Sequence, residues 1–198
     1  MTENEWTRII ANKLAPAIVP LMVSTQQKIP YLQEIESYNT YNTSSDTVHT
    51  DWIPNYRAPD SFETDMTVYE KKDGVIIPLV IIEAKIKTVT THDAITYSRK
   101  AELHKNVMPF LRYGIMLGNR KGYPLPGRLF RHGGCFDFMF SFKGFSPEPY
   151  EWDAFVEMIK REIEYSRNLE EMLHESRKPS RKRYFMFEKQ LVLGETTG

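Results

Sequence analysis

The 198-residue chain carries 26 Lys and Arg against 26 Asp and Glu, a formal net charge of zero that excludes a uniformly basic, histone-like nucleic-acid binder. At 41% hydrophobic and 13% aromatic it can bury a sizeable core, and its single cysteine, Cys135, excludes a disulfide framework and a Cys-cluster zinc site. No apolar run reaches the roughly 18 residues of a membrane span, and acids stand where a signal peptide needs a basic start, so the expectation is a cytoplasmic protein.

In chain order, Glu5 to Val23 has helical spacing (Trp6, Ile9, Ile10, Leu14, Ile18), with Thr2 placed to cap it and Pro16 and Pro20 to interrupt it. Residues 38–62 are polar and rich in turn formers, which predicts an irregular surface excursion. Phe62 to Glu70 has strand character, and Lys71 to Gly74 is a turn signal. Val75 to Ile86 is nearly continuous in β-branched residues, as in a strand buried on both faces. Thr91 to Phe110 predicts a helix capped by Thr91, with Ile95, Leu103 and Val107 as its apolar contacts. Tyr113 to Leu117 predicts a strand, Arg120 to Gly127 a loop, and Leu129 to Phe142 a further strand around Phe136 to Phe142. Glu151 to Ser176 is the longest helical pattern, a basic run fills 177–183, and Tyr184 to Phe187 predicts a last strand. The order of elements makes a mixed α/β fold with a central β-sheet flanked by helices.

The informative feature is a carboxylate on one strand followed by Glu-Ala-Lys on the next. Asp65 precedes the turn; Glu83 and Lys85 end the apolar run after it. Strand side chains alternate faces, so Glu83 and Lys85 point the same way, about 6–7 Å apart. Ionisable groups at the end of so apolar a strand are costly unless they have a partner or a task. The register across the turn decides whether Asp65 joins them. A two-residue Asp73-Gly74 turn pairs Asp65 with Ile82 and leaves Glu83 on the other face. A three- or five-residue loop centred on Gly74 sets Asp65 opposite Glu83, and so does a bulge at Pro78, which cannot donate to a ladder.

Over residues 61–117 these features resemble the PD-(D/E)XK nuclease superfamily, with its restriction-endonuclease-like core, and in organisation the type II restriction endonucleases. Thr64 stands where the motif's nominal proline would be. The resemblance implies one domain over 1–198, with its core at about 61–118 and basic recognition elements at 119–198. It implies that Asp65, Glu83 and the backbone carbonyl of Ala84 hold Mg²⁺, with Mn²⁺ as a substitute, and it offers Glu5 as an extra ligand. Glu5 also reads simply as a first-turn acid favoured by the helix dipole. Lys85 would orient or help deprotonate the attacking water and offset charge on the phosphate. On the helix that follows, Tyr97 and Lys100 share a face and would meet a phosphate.

The partner implied is double-stranded DNA, cut by a homodimer. Charge distribution fits it: residues 1–98 hold 8 basic and 13 acidic side chains, residues 99–198 hold 18 and 13. Arg120, Lys121, Arg128 and Arg131, on the Gly/Pro-rich loop and the strand after it, are candidate DNA contacts, as is an arm of Arg181, Lys182 and Arg183. No glycine-rich phosphate loop is present, so no nucleotide cofactor is expected. Neither His104, His132 and His174 nor Cys135 has the spacing of a metal or nucleophile site. Two alternatives remain: a nuclease subunit of a larger restriction or defence assembly, since residues 77–85 also resemble the nuclease domain of type I restriction subunits, and a non-catalytic nucleic-acid-binding protein.

Overall fold

Thr2 accepts a hydrogen bond from the Glu5 amide while the Glu5 carboxylate accepts from the Thr2 amide, a reciprocal cap that starts helix α1 (Glu3–Leu14). Pro16 then converts the chain to a single 3₁₀ turn, Ala15–Ile18. The helix therefore stops short of Val23, and β1 (Met22–Leu32) begins where the helical reading ended. The computed structural model describes residues 1–42, 50–120, 125–174, 183–186 and 191, with backbone alone at 40–42 and 50–52.

The stretch expected to be irregular is instead an antiparallel hairpin, β2 (Ile35–Asn42) with β3 (Thr50–Tyr56). It buries almost none of its described side chains, so its strands lack the alternation of burial that betrays a strand in sequence. The chain returns along β4 (Asp60–Lys72), turns at Asp73-Gly74 with both residues at positive φ, and continues as β5 (Val75–Ile86). Helix α2 (Thr91–Val107) crosses over to β6 (Arg112–Gly118), followed by α3 (Gly127–His132), β7 (Phe138–Ser141) and α4 (Pro149–His174). The sheet order is β1-β4-β5-β6-β7, antiparallel from β1 to β5 and parallel from β5 to β7. This is a mixed α/β architecture with a five-stranded mixed sheet flanked by helices.

Four expectations differ from the structure. The cap of α2 is Thr90, whose side chain accepts from the Asp93 amide, not Thr91. Ile95 and Val107 are exposed, because α2 lies on the sheet through the small face Ala94, Ser98 and Ala101, together with His104. Residues 127–132 form a helix, so Arg128 and Arg131 sit on α3 and not on a strand. Residues 184–186 form no strand, and 187 lies outside the described residues.

The sheet has a core on each face. Trp6, Ile10 and Leu14 of α1 and Phe155 and Ile159 of α4 cover Met66, Val68, Ile82 and Met116. On the other face, Ala94 and Ala101 of α2 and Leu129 of α3 cover Ile81, Tyr113, Ile115 and Leu117. Each large apolar side chain so buried contributes about 1.5–3 kcal/mol. β5 is central to both cores, which explains its apolar run. Where β6 begins, Arg112 is buried between Asp137 (3.1 Å) and Glu162 (2.6 Å), and Lys105 of α2 reaches Asp137 at 2.7 Å. Burial pushes the Glu162 carboxyl up, against the pull of Arg112.

Candidate active site

Register decides which side chains meet at the open end of β4 and β5. Near the turn the pairing runs Lys72↔Val75 to Tyr69↔Pro78; beyond it, Val68 faces Val80, Thr67 faces Ile81 and Met66 faces Ile82. Leu79 is the extra residue of a bulge beside Pro78, whose ring nitrogen has no hydrogen to give the ladder. Thus the turn has two residues, and the bulge restores the register. Continued by one pair, it sets Asp65 opposite Glu83. The Asp65 carboxylate closes the strand end by accepting from the Ala84 amide at 2.7 Å.

Glu83 is 1% exposed. Its Oε1 accepts from the Tyr113 hydroxyl at 2.5 Å and lies 3.7 Å from the Lys100 Nζ. Burial, and next the neighbouring Asp65 charge, push the Glu83 carboxyl up to about 7, although Lys100 and Tyr113 favour its charged form. Tyr113 is held well above its ordinary range by burial and then by the Glu83 charge, so it remains a donor. Ring-stacked beneath Tyr113 is His104, whose Nε2 is 3.0 Å from the Ile29 carbonyl. Burial lowers its pKa and so favours the neutral ring in the core.

Lys85, two residues on, shares the Glu83 face and turns toward α1 and α2. Its Nζ lies 3.1 Å from Glu3, 3.9 Å from Asp93 and 5.4 Å from the centre of the Tyr97 ring. Burial works to lower its pKa, but hydrogen bonds to Tyr97 and Glu3 outweigh it and hold the ammonium above its ordinary range. Burial pushes Tyr97 up to about 12. Lys100 stands 5.3 Å from the Tyr97 ring and 5.5 Å from that of Phe62, and donates to the Glu63 carbonyl at 3.3 Å. The structure therefore brings Asp65, Glu83, Lys85, Tyr97 and Lys100 together.

Other expected residues lie elsewhere. Glu5 shares a shallow surface depression with Asp65, Arg8, Thr25 and Gln26, and its carboxylate is taken up in the α1 cap. Gln26, opposite Asp65 by the β1–β4 register, has a φ of 56°, a strained conformation at the edge of the site. Arg120 donates to the Lys87 carbonyl. Arg128, Arg131 and Arg183 are exposed, and Lys121, Arg181 and Lys182 lie outside the described residues.

Sequence reasoning missed Glu3 and Tyr113. Glu3 lay ahead of the helix expected from Glu5 onward. Tyr113 lay in an apolar strand, and only its pairing with Ile81 on the parallel neighbour puts its hydroxyl on the Glu83 face.

The donor set suits a hard divalent cation. Asp65 and the buried Glu83 offer carboxylate oxygens side by side, and burial together with the Asp65 charge disfavours the ionised form of Glu83 unless a cation joins them. The Ala84 amide points at Asp65, and in an extended strand a residue's carbonyl points to the same side as its amide. Among the described residues no three His, Cys, Asp or Glu side chains converge as a ready-made metal cage. Likewise, no described helix is long and apolar enough to cross a membrane.

No family model matches the chain, and no curated relative matches it. Among solved structures it is similar to the pre-specific restriction endonuclease BsaWI in complex with DNA, at 14% identity and a TM-score of 0.32. The match covers 60% of this chain and 47% of that one, about half that protein's length.

Proposed function

We propose that this chain is a divalent-metal-dependent endonuclease that hydrolyses DNA phosphodiester bonds, in the manner of type II restriction enzymes, and acts as a homodimer. The observation that carries the proposal is the Pro78–Leu79 bulge. It costs ladder regularity between β4 and β5, and its effect is to put Asp65 and Glu83 on one face with Lys85. A salt bridge at a strand end would need no such register.

In this reading Asp65, Glu83 and the Ala84 carbonyl hold Mg²⁺ or Mn²⁺. When bound, the cation neutralises the two carboxylates and stabilises charge developing on the phosphate. Lys85, held protonated by Tyr97 and Glu3, serves as a donor and counter-charge that orients the attacking water and the phosphate, not as a base. The water oxygen bonds to phosphorus as the bond to the 3′ oxygen breaks, and the leaving oxygen takes up a proton. Tyr113 fixes one Glu83 oxygen, so the carboxylate cannot rotate away from Asp65. Tyr97 and Lys100 line the approach from α2, and exposed Arg128 and Arg131 on α3, with Arg183, extend positive charge toward the DNA backbone.

Digestion of unmethylated phage DNA with Mg²⁺ tests the reading. Discrete bands are the expected result. A smear would replace sequence-specific with nonspecific cutting, and intact DNA would favour a subunit of a larger assembly or a non-catalytic DNA-binding protein.

A further inference from the structure

The N-terminal turn of α1 holds the other acid at this site. Glu3 stands on an anchored platform. The Thr2–Glu5 cap fixes the turn, Thr7 Oγ1 donates to the Glu3 carbonyl at 2.8 Å, and the fully buried Trp6 donates its indole N–H to the Phe145 carbonyl at 2.9 Å. From there the two Glu3 oxygens bridge the end of β5, one to the Lys85 Nζ at 3.1 Å and the other accepting from the Ile86 amide at 3.3 Å. Both side chains are largely covered, at 29% and 21% exposed.

Lys85 has a competing destination. Glu83 is its nearest neighbour on the same strand face, and Asp65 lies across from Glu83. An ammonium four methylenes long reaches that pair, and two adjacent carboxyl groups, one of them buried, would attract it. Yet the carboxylates that Lys85 ion-pairs with are Glu3 and Asp93, and the cation beside Glu83 is Lys100. Asp93 alone is a weak counterweight: it is 3.9 Å away, and its other oxygen is committed to Thr90.

Resting on the function proposed above, we infer that Glu3 is a positioning residue: it clamps Lys85 away from the Asp65–Glu83 pair, so that no second ammonium joins Lys100 there in place of the divalent cation, and it holds the Lys85 ammonium poised for phosphate. Without the clamp, Lys85 folds back onto Glu83 and competes with the cation for the same oxygens.

Mn²⁺ binding by the full chain without DNA, followed by the electron paramagnetic resonance of free Mn²⁺, gives a readout that needs no catalysis. Glu3→Gln should weaken Mn²⁺ binding about tenfold, the scale of one added cation beside a carboxylate. In a Lys85→Met background the same substitution should change nothing, because the competing ammonium is gone. Glu3→Ala, read the same way, guards against an effect peculiar to the amide, and each variant is first matched to the wild type by thermal melting. Equal weakening in both backgrounds would make Glu3 a metal ligand and overturn the clamp. Unchanged binding in Glu3→Gln would overturn it too. A wild type that binds no Mn²⁺ would instead overturn the metal-dependent function on which the clamp rests.

Discussion

At the scale of single residues, Glu83 concentrates the tension of the site. A carboxyl whose pKa lies near 7 in the fold and near 4.5 when unfolded is protonated in both states below about pH 4.5. As pH rises from 4.5 to 7, the unfolded chain gives up its proton first, so stability falls across that window and stays lowered above it. The shift caps this cost at about 3 kcal/mol. Glu83→Gln, which keeps an acceptor for Tyr113 and never ionises, should therefore be about 1–3 kcal/mol more stable than the wild type at pH 8 and nearly equal to it at pH 4.5. Urea unfolding without divalent cations measures this, and an equal difference at both pH values would contradict it. Glu83 and Lys85 were legible in the sequence because charge at the end of an apolar strand is conspicuous, and Asp65 as the carboxylate on the strand before the turn. Tyr113 and Glu3 were not, because a tyrosine in a buried strand and an acid ahead of the expected helix each have an ordinary explanation until tertiary structure brings them to Glu83 and Lys85.

Between elements, the same contrast follows burial. β5 was legible because both of its faces are core. The β2–β3 hairpin and much of β1 were not, since strands with few buried side chains show no alternation. Helix α2 was found, but its contact face was misassigned, since it approaches the sheet through Ala94, Ser98 and Ala101 and leaves Ile95 in solvent. The Pro78 bulge was one of the registers left open by the sequence, which marks the proline but cannot choose a turn length. On the far side of β6, Arg112 joins the strand to α4 through Glu162 and to the segment before β7 through Asp137. Arg112→Ala leaves Glu162 buried without that cation, and should cost about 3–5 kcal/mol in chemical denaturation. A loss under about 1 kcal/mol would mean that the network is better solvated than its burial indicates.

For the whole molecule, net zero charge conceals an arrangement. The acidic half contributes Asp65 and Glu83 at an open strand end, and the basic half contributes Lys100 beside them and Arg128 and Arg131 on an exposed short helix. A polyanion can approach such a surface only where the carboxylates are neutralised and the surrounding cations are not, which is the condition a bound divalent metal would create. Cleavage of a supercoiled plasmid with Mg²⁺, run in parallel for the wild type and Glu83→Ala with DNA binding measured on the same samples, tests this most directly. The account predicts cutting by the wild type alone, with binding kept by both. Cutting that persists in Glu83→Ala would contradict it.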